Sequence, residues 1–527
     1  MNLESLNSQQ LQAVCHSDGP LMVVAGAGSG KTRVITCRIA NLIQEKRFSP
    51  ESILAITFTN KAAGEMKERV RNMLGLRGAS PWVSTFHSFC LRILRKHISE
   101  LGFSNDFAIY DTQDQLTLIK QCMKATETST DAFPPKTLLN HIGGFKNNFL
   151  MPKDLNLDEM PYGHQLKAAD LYPIYQAALK KNNALDFDDL LVLAGMLFQE
   201  APSLRAYYNE KFQHILVDEF QDTNAVQYKL VRLLSESQKN ICVVGDDDQS
   251  IYRWRGANIE NILKFENDYP GTTVIKLEEN YRSTQNILKA AGSVVKENRN
   301  RKDKTLWTQN EAGSPVLCYR AKDEIDESDF VCQKIQSLNS DEGFSLNDMA
   351  ILYRTNAQSR VLEDVLRRYG LPYQVIGGLR FYERKEIKDV LAYMRVVLNP
   401  SDSVSLKRII NVPVRGIGKT SLEKIERYCR DKGVTLLEGL RDNAQARLTT
   451  SAAGKKIFQF LQMVDELDAT FRQGNPLELL TEVIDRSGYG EMLKKENTRE
   501  SKGRIENLNE LFSAVEQSIE NGEDSLQ

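Results

Sequence analysis

A glycine-rich segment of the sequence combines the residue types and the spacing that bind phosphate groups. It follows the apolar run Leu21–Ala25 and precedes a stretch in which apolar residues repeat at helical spacing. The segment reads Ala25-Gly26-Ala27-Gly28-Ser29-Gly30-Lys31-Thr32. Glycines let backbone N–H groups surround phosphate oxygens, and the start of the next helix adds a positive dipole. The sequence therefore predicts a phosphate-binding loop between a strand and a helix.

Two side chains at the end of this loop have distinct predicted roles. The Lys31 ammonium would reach the β- and γ-phosphates of a nucleotide, and the Thr32 hydroxyl would hold Mg²⁺. Ala25 stands where the usual pattern has its first glycine, and alanine is small enough for that turn. The loop thus predicts binding of a nucleoside triphosphate with magnesium.

A pair of acids follows the apolar run at 214–217. A carboxylate at the C-terminal end of a strand, in the same sheet as a phosphate loop, is placed to coordinate Mg²⁺. Asp218 is the candidate for that role, and Glu219 is the candidate base that orients and deprotonates the attacking water. Together with the loop, the pair predicts nucleotide hydrolysis and not binding alone.

The segment after the apolar run at 241–244 carries a third polar group and several aromatic and basic residues. The Gln249 amide can donate to a γ-phosphate and respond to its loss. Trp254 lies between two arginines and just after Tyr252, a combination that suits stacking on single-stranded nucleic acid. A tryptophan buried in a core beside surface arginines would give the same pattern, and both interpretations stay open.

These residues need a sheet to position them. Five short apolar runs predict central strands of a parallel sheet covered on both faces, at 21–25, 53–57, 214–217, 241–244 and 274–277. From about 89 to 186 the pattern is mostly helical, which predicts an insertion. A second strand-bearing region begins near Leu277, with strands predicted at 315–319 and 349–353. The run 373–376 leads into a predicted hinge at Gly377-Gly378, and 380–527 is again mostly helical.

Composition limits the class of protein. The 527 residues carry 68 Lys+Arg and 70 Asp+Glu, a net charge of −2, so any nucleic-acid contact should use a local groove. The length predicts roughly three or four domains. No apolar run reaches the roughly 18 residues of a membrane span, and no leader pattern opens the chain, so we expect a cytoplasmic protein without a membrane partner. The eight cysteines lack metal-site spacing and predict reduced thiols.

The ordered motifs resemble the UvrD/Rep/PcrA group of superfamily 1 DNA helicases over essentially the whole chain. The matching segments are 6–10 (the Q motif), 26–32 (motif I), 58–63 (Ia), 84–89 (Ib), 185–190 (the return from the insertion), 217–224 (II), 244–257 (III) and 277–283 (IV). The resemblance implies an α/β fold with two RecA-like P-loop motor domains, each with a parallel sheet interrupted by a mainly helical insertion. The implied division is 1–88 and 185–277 for the first motor domain, 89–184 for its insertion, 278–378 for the second motor domain, and 379–527 for its insertion.

The resemblance also assigns the nucleotide site, with ATP and Mg²⁺ as cofactors. Gln10 would read adenine, Tyr281 would stack on it, and Arg282 would contact the γ-phosphate. The implied catalytic set is Lys31, Asp218, Glu219, Gln249 and Arg282, with Thr32 and Asp218 at the metal. The implied ATP contacts are Gln10, Ala25, Gly26, Ala27, Gly28, Ser29, Gly30, Lys31, Thr32, Arg33, Tyr281 and Arg282.

The implied DNA contacts form two groups. The single-strand path would use Phe58, Asn60, His87, Phe187, Tyr252, Trp254 and Arg255 from the first motor domain, and Arg354 and Asn356 from the second. A Gly-Ile-Gly turn before a helix start resembles a helix–hairpin–helix, whose backbone N–H groups would face a duplex phosphate. Its implied contacts are Arg415, Gly416, Gly418, Lys419 and Thr420. An ordinary helix start after a glycine turn is the other interpretation.

The sequence departs from the family pattern at its C-terminal end. Family members carry two further motifs after the second insertion, one of which supplies a second γ-phosphate arginine, and neither is found before Gln527. We therefore expect an incomplete second motor domain, whose sheet has an open edge and exposes apolar surface. Membership of the family is therefore one expectation. That this chain alone unwinds DNA is a second expectation, which does not follow from the first.

The function implied by the resemblance is an ATP-driven translocase that moves 3′→5′ and unwinds duplex DNA in repair or replication. Its expected partners are single-stranded DNA, single-strand/duplex junctions and repair or replication proteins, at the nucleoid. Two alternatives stay open. One is the helicase part of a helicase–nuclease complex, and the other is a non-motor protein whose DNA binding is gated by ATP.

Overall fold

The computed structural model describes residues 3–75, 80–298, 302, 304–376, 384–472 and 474–520. Its largest sheet has six strands in the order β3-β2-β6-β7-β1-β8, and every neighbouring pair is parallel. All five predicted strands are confirmed within this sheet. The strands of the described residues are β1 Leu21–Ala25, β2 Ile53–Thr57, β3 Trp82–Thr85, β4 Ala108–Tyr110, β5 Ala184–Asp186, β6 His214–Val217, β7 Ile241–Gly245 and β8 Thr273–Leu277.

The helices cover both faces of this sheet and make up most of the remaining described chain. Their bounds are α1 Ser8–Cys15, α2 Lys31–Gln44, α3 Asn60–Leu74, α4 Phe86–His97, α5 Thr112–Ala125, α6 Pro135–Asn147, α7 His164–Lys181, α8 Phe187–Glu200, α9 Pro202–Lys211, α10 Ala225–Leu234, α11 Glu260–Asp268, α12 Gln285–Val295, α13 Glu324–Ser340, α14 Ser359–Arg368, α15 Lys385–Leu398, α16 Ser403–Ile409, α17 Lys419–Lys432, α18 Leu436–Ala446, α19 Ser451–Phe471, α20 Pro476–Arg486, α21 Tyr489–Glu496 and α22 Arg499–Glu520.

Alternating side chains of the central strands enter two different cores. In β1, Leu21, Val23 and Ala25 pack with α2, whereas Met22 and Val24 pack on the opposite face with α4 and α8. All five are fully buried. Successive side chains of a strand point to opposite faces, so a strand without polar residues must be covered on both. The sheet is therefore the rigid centre to which the site residues are attached.

Two helical regions have cores of their own. Helices α5, α6 and α7 pack around Leu118, Tyr172 and their neighbours, beside the short parallel pair β4–β5. Helices α15 to α22 enclose a separate core that includes Tyr393 and Leu467. These cores lie within the two segments that the sequence predicts as helical insertions.

The two helical regions touch each other through specific polar contacts. The Tyr110 hydroxyl donates to Asp402 at 2.6 Å, and the Arg395 guanidinium lies 2.9 Å from Asp114. The Asn399 amide donates to the carbonyl oxygen of Asn182 at 2.9 Å. Because several of these groups are buried, the contact defines one relative placement of the two regions.

Between 278 and 376, the described residues contain helices but no strand, so the predicted strands at 315–319 and 349–353 are wrong, and the run 373–376 is not a strand either. The apolar side chains there have no sheet partner to cover them. Leu317 is 67% exposed and Leu352 is 90% exposed. A strand needs a neighbour to accept its backbone hydrogen bonds, and an apolar run alone does not supply one. The predicted hinge at Gly377-Gly378 lies outside the described residues.

None of the helices in the described residues combines the length and the apolar composition that a membrane span requires.

Candidate functional site: a nucleotide loop and an aromatic surface on one sheet edge

Apart from Gln10 on α1, the site residues predicted within 1–277 lie at the carboxyl ends of parallel strands or in the segments that follow them. The phosphate loop follows β1, the acid pair follows β6, and Gln249 comes shortly after β7. Phe58 and His87 follow β2 and β3, Tyr252 and Trp254 follow β7, and Phe187 follows β5 of the two-stranded sheet. In the strand order β3-β2-β6-β7-β1-β8, the strands that precede nucleotide groups (β6, β7 and β1) adjoin those that precede aromatic residues (β3, β2 and β7), and β7 precedes both.

The phosphate loop is held by contacts to two of its carbonyl oxygens, and its Gly26 and Ser29 N–H groups donate to the Leu277 and Gly26 carbonyls at 3.1 and 3.3 Å. The Asn280 amide donates to the Ala27 carbonyl at 2.5 Å, and the Tyr281 backbone N–H donates to the Gly28 carbonyl at 3.0 Å. Gly28 has φ +68°, and a Cβ there would come within 2.6 Å of the Asn280 amide. Only glycine suits this position, because both the backbone conformation and the space exclude a side chain.

Gln10 and Tyr281 lie beside the loop, as their predicted roles at adenine require. The Gln10 side chain is buried, donates to the Ser29 carbonyl at 3.0 Å and accepts from the Asn7 backbone N–H at 3.2 Å. The Tyr281 hydroxyl donates to Glu279 at 2.7 Å, and its ring is half exposed. Gln10 thus supports the loop in addition to any contact with a base.

Lys31 and Glu219 form an ion pair across the site. The Lys31 Nζ lies 3.1 Å from the Glu219 Oε2, and the lysine side chain is 11% exposed. Glu219 adopts the left-handed backbone conformation with φ +49°, which turns the chain sharply after β6. A γ-phosphate that reaches Lys31 would compete with this pair and release the carboxylate toward a water molecule.

Asp218 is the buried member of the acid pair. Burial, followed by the charge of Glu219, raises the pKa of Asp218 to about 7. Asp222 has its pKa raised to about 7 by the same two causes, and its buried Oδ1 finds no hydrogen-bond partner among the described residues. Carboxylate and hydroxyl oxygens are the ligands that Mg²⁺ prefers, so Asp218 and Thr32 fit a magnesium ion whose charge would favour the ionised acid.

Gln249 is tied to a cluster of carboxylates and one lysine. Its amide donates to Asp246 Oδ2 at 2.6 Å, and the Lys304 ammonium lies 2.9 Å from Asp246 Oδ1. Lys304 also contacts Asp247 and, at 2.8 Å, Asp248. Lys304 is almost completely buried, and its three partners raise its pKa against the effect of burial. Sequence reasoning missed Lys304, because nothing in a run of basic residues shows which one is buried.

A glutamine between the acids and Gln249 links the two strand ends. The Gln221 amide donates to Glu219 Oε2 at 2.9 Å, and its oxygen accepts from the Asp246 backbone N–H at 2.9 Å. The amide nitrogen and the oxygen of the buried Gln221 side chain therefore both have hydrogen-bond partners. Gln221 was not predicted as a site residue, although it lies within motif II.

The predicted nucleic-acid residues form a partly exposed aromatic surface. The Phe58 and Tyr252 ring centroids are 5.2 Å apart, and those of His87 and Phe187 are 6.3 Å apart. Trp254 is 64% exposed, which decides against the buried-core interpretation. Asn60 is exposed nearby and accepts from the Ser88 hydroxyl at 3.5 Å. The side chain of Arg255 lies outside the described part of the chain.

Three predicted contacts, Arg282, Arg354 and Asn356, come from the segment after β8. Arg282 is exposed, and its backbone N–H donates to Asn280 Oδ1 at 2.9 Å beside the phosphate loop. Arg354 is exposed, and its backbone N–H donates to the Gln358 side chain at 3.0 Å. Asn356 begins a short 3-10 turn, and its side chain is not described. Arg282 is thus the one of these three that the structure brings to the nucleotide loop.

The predicted duplex contact needs one correction. Arg415 points into the helical region, where its guanidinium donates to the Ile409 carbonyl at 2.9 Å, the Ser487 carbonyl at 3.0 Å and the Tyr393 hydroxyl at 2.6 Å. A cation with this many internal acceptors holds the hairpin together and does not face a phosphate. The other four predicted residues, Gly416, Gly418, Lys419 and Thr420, are exposed at the start of α17.

A cleft of about 820 Å³ opens beside the nucleotide groups. Its walls include Ala27, Gln249, several residues of α12 and the segment 304–308. Leu306 from that segment packs so close to the loop that a Cβ on Gly26 would lie 2.0 Å from it. The cleft therefore separates the sheet edge from the elements that follow β8, at the place where a nucleotide would be enclosed.

Two family models together cover nearly the whole chain. Residues 6–270 match the UvrD/REP helicase N-terminal domain, and residues 275–527 match the UvrD-like helicase C-terminal domain. The second match shows that a domain of this C-terminal class is present in residues 275–527.

Comparison with individual proteins indicates the same helicase family. The chain is 48% identical to the ATP-dependent DNA helicase PcrA of Bacillus subtilis over 522 residues, which are 99% of this chain and 70% of that protein. It is 46% identical to the PcrA proteins of Staphylococcus aureus over 519 residues and of Staphylococcus epidermidis over 523 residues, in each case 98% of this chain and 71% of the relative. Similarity at this level over almost the full chain, together with the loop, acid pair and aromatic surface on one sheet edge, places the chain in the UvrD/REP helicase family and makes it a helicase enzyme.

Proposed function

We propose that this chain is an ATP-dependent DNA helicase motor that moves 3′→5′ along single-stranded DNA in repair or replication, in the cytoplasm at the nucleoid. The observation that carries the proposal is the single sheet edge, on which the nucleotide groups adjoin the exposed aromatic surface. A motor must couple hydrolysis to movement along the strand, and a shared rigid edge gives the two sites a common support. The direction of movement comes from the family resemblance.

The nucleotide half has groups for each requirement of phosphoryl transfer. The loop N–H groups and Lys31 would hold the β- and γ-phosphates, and Thr32 and Asp218 would hold Mg²⁺, which supplies charge neutralisation at those oxygens when bound. Glu219, released from Lys31, would orient and deprotonate the attacking water. Gln249 and Arg282 would contact the γ-phosphate, and Tyr281 would stack on adenine beside Gln10.

The nucleic-acid half has the chemistry of a sequence-tolerant platform. Every base has a π-face, so stacking on Phe58, Phe187, Tyr252 and Trp254 would accept any sequence. Asn60, His87, Arg255, Arg354 and Asn356 complete the proposed single-strand path. At a junction, the exposed turn with Gly416, Gly418, Lys419 and Thr420 would meet a duplex phosphate through backbone N–H groups and one ammonium. We further propose the division into two motor domains and two insertions given above.

The deciding experiment is steady-state ATPase of this chain with and without single-stranded DNA. We expect hydrolysis that requires Mg²⁺ and rises at least tenfold with DNA. If ATP binds but DNA does not stimulate its hydrolysis, the motor assignment fails for this chain and the ATP-gated DNA-binding alternative takes its place. Unwinding of a 3′-tailed duplex, compared with a 5′-tailed one, tests the direction separately.

Replacing Trp254 with alanine should weaken binding of single-stranded DNA by about 5- to 150-fold, because one stacked base contributes about 1–3 kcal/mol. Anisotropy titrations with homopolymers of T, C and A should give similar losses. Tyr207→Ala is the matched control: Tyr207 is 55% exposed, but it lies on α9, which leads into β6 and hence is at the opposite edge of the sheet. A loss confined to one base would contradict a stacking platform.

A further inference from the structure

Asn147 lies where the first helical region meets the two halves of the site. It is the last residue of α6, and its amide donates to Asp188 Oδ1 at 3.2 Å. Its oxygen accepts from the Asn224 amide at 2.6 Å. The same amide nitrogen also donates to the Gly143 carbonyl of its own helix at 2.8 Å. One side chain therefore joins three separate segments.

Each partner of Asn147 adjoins a residue of the proposed machinery. Asp188 directly follows Phe187, the half-exposed ring on the single-strand path. Asn224 comes two residues after Asp222 at the end of the acid segment. Thus Asn147 connects the start of α8, on the nucleic-acid side, with the segment that carries the catalytic acids.

A third segment approaches Asn147 closely. Gly256 lies two residues after Trp254 and has φ +86°. A Cβ on Gly256 would lie 3.3 Å from the Asn147 Cβ. The Gly256 backbone and the Asn147 side chain are therefore in tight contact. A displacement of the Trp254 turn would consequently displace Asn147 as well.

The path from Asn224 to the acids has little freedom. Asn224 caps α10 by accepting from the Gln227 backbone N–H at 2.9 Å, while its amide is used by Asn147. The preceding Thr223 is held by Asn261, whose amide donates to the Thr223 carbonyl at 3.0 Å. Four residues lie between Glu219 and Asn224, and Gln221 among them donates to Glu219. Hydrogen bonds therefore restrain this mostly buried segment at Gln221, Thr223 and Asn224, which limits how far Asn224 can shift without moving the acids.

We propose that Asn147 is a positioning residue that couples single-strand engagement at Phe187 and Trp254 to the placement of Glu219 for hydrolysis. It is not among the residues proposed to contact ATP or DNA, and acts through Asp188, Gly256 and Asn224. The inference rests on the proposed function and names the connection between its two halves. Coupling between two sites is reciprocal, so the same residue must also transmit the effect of ATP on DNA affinity.

The test compares Asn147→Ala with Asn148→Ala. The control is closely matched, since Asn148 is the adjacent residue and its amide likewise donates to a carbonyl four residues back, that of Gly144 at 2.8 Å. For Asn147→Ala we expect DNA stimulation of ATPase to fall by about 2- to 30-fold, corresponding to a coupling of about 0.5–2 kcal/mol. The basal rate and the KM for ATP should stay within twofold, and Asn148→Ala should behave as the parent.

The reciprocal measurement is single-strand affinity with and without a non-hydrolysable ATP analogue. The ratio of the two affinities should move toward one in Asn147→Ala. A purely structural role would lower basal and stimulated rates together and leave their ratio unchanged, which would overturn the inference.

A second variant removes the same bond from the other side. Asn224→Ser keeps a side-chain oxygen that can cap α10, removes the amide that donates to Asn147 and adds no charge, so the helix start is retained. It should show the same loss of stimulation. If both variants are stimulated like the parent, the inference fails while the proposed function stands. If the parent itself is not stimulated by DNA, the proposed function fails and the inference fails with it.

Discussion

Replacing Lys31 with alanine should lower the ATPase rate by about 10²–10³-fold while single-strand binding without nucleotide stays within twofold. The rate falls because a preorganised positive group at the transferring phosphate contributes stabilisation of this size. Binding is spared because Lys31 follows β1, whereas the aromatic residues follow β2, β3, β5 and β7. The measurements are steady-state ATPase at saturating DNA and anisotropy with a labelled single strand.

The control for this variant is Lys46→Ala, which removes an exposed lysine just beyond the other end of α2. It should leave both measurements unchanged. In Lys31→Ala, Glu219 also loses the partner that it contacts at 3.1 Å. An equal collapse of nucleotide-free DNA binding in Lys31→Ala would show that the loop and the aromatic surface are not the separate sites described here.

Replacing Lys146 with methionine should destabilise the first helical region by about 3–5 kcal/mol, because removing one partner from a buried ion pair leaves uncompensated charge. Lys146 is completely buried, and its ammonium lies 2.6 Å from Asp186 and 2.7 Å from Asp189. Tyr175 and Gln176 add hydrogen bonds to the same two carboxylates but carry no charge. Methionine keeps most of the volume and removes the cation.

The loss of folding stability in Lys146→Met should become larger as the pH rises. Burial already raises the pKa of Asp189 to about 6, and removing the lysine would raise it further. An acid whose pKa is higher in the folded state binds more protons there than in the unfolded chain, so stability falls as pH rises through that range. Urea unfolding should therefore show a larger deficit at pH 8 than at pH 5.5.

Lys136→Met serves as the control, since Lys136 is an exposed lysine at the start of the same helix α6. It should change the unfolding midpoint little at either pH. A deficit in Lys146→Met that is independent of pH would mean that lost packing, and not uncompensated carboxylates, causes the effect.

Local features of the sequence were sufficient to predict five of the six strands of the large sheet, but not β3. Strand β1 has no polar residue, so it had to be buried on both faces, and the glycines after it had to form a turn before α2. The strands β2, β6 and β7 are likewise mainly apolar and buried throughout, whereas β8 carries the exposed Lys276. Because parallel strands share an edge, the acids after β6 and Gln249 after β7 could be placed near the loop without coordinates.

The same reasoning failed where burial depends on distant partners. The run 315–319 is as apolar as β6, yet it is not a strand, because pairing requires a neighbour that the run itself does not specify. Arg415 was assigned to a duplex phosphate from its place beside a glycine turn. Its acceptors, among them the Ser487 carbonyl, come from residues far along the chain and could not be seen locally.

What the sequence determined by itself is therefore a set of short segments and their places after the strands: a glycine-rich loop after β1, a carboxylate pair after β6, and a segment with aromatic residues after β7. What only the tertiary structure decided is which polar side chains connect them. Lys304 holds three carboxylates. Asn147 joins Asp188, 41 positions further along the chain, to Asn224, 77 positions further along. Such contacts depend on how separate elements pack, and the physical reason is that burial and hydrogen-bond pairing are properties of the folded whole and not of a segment.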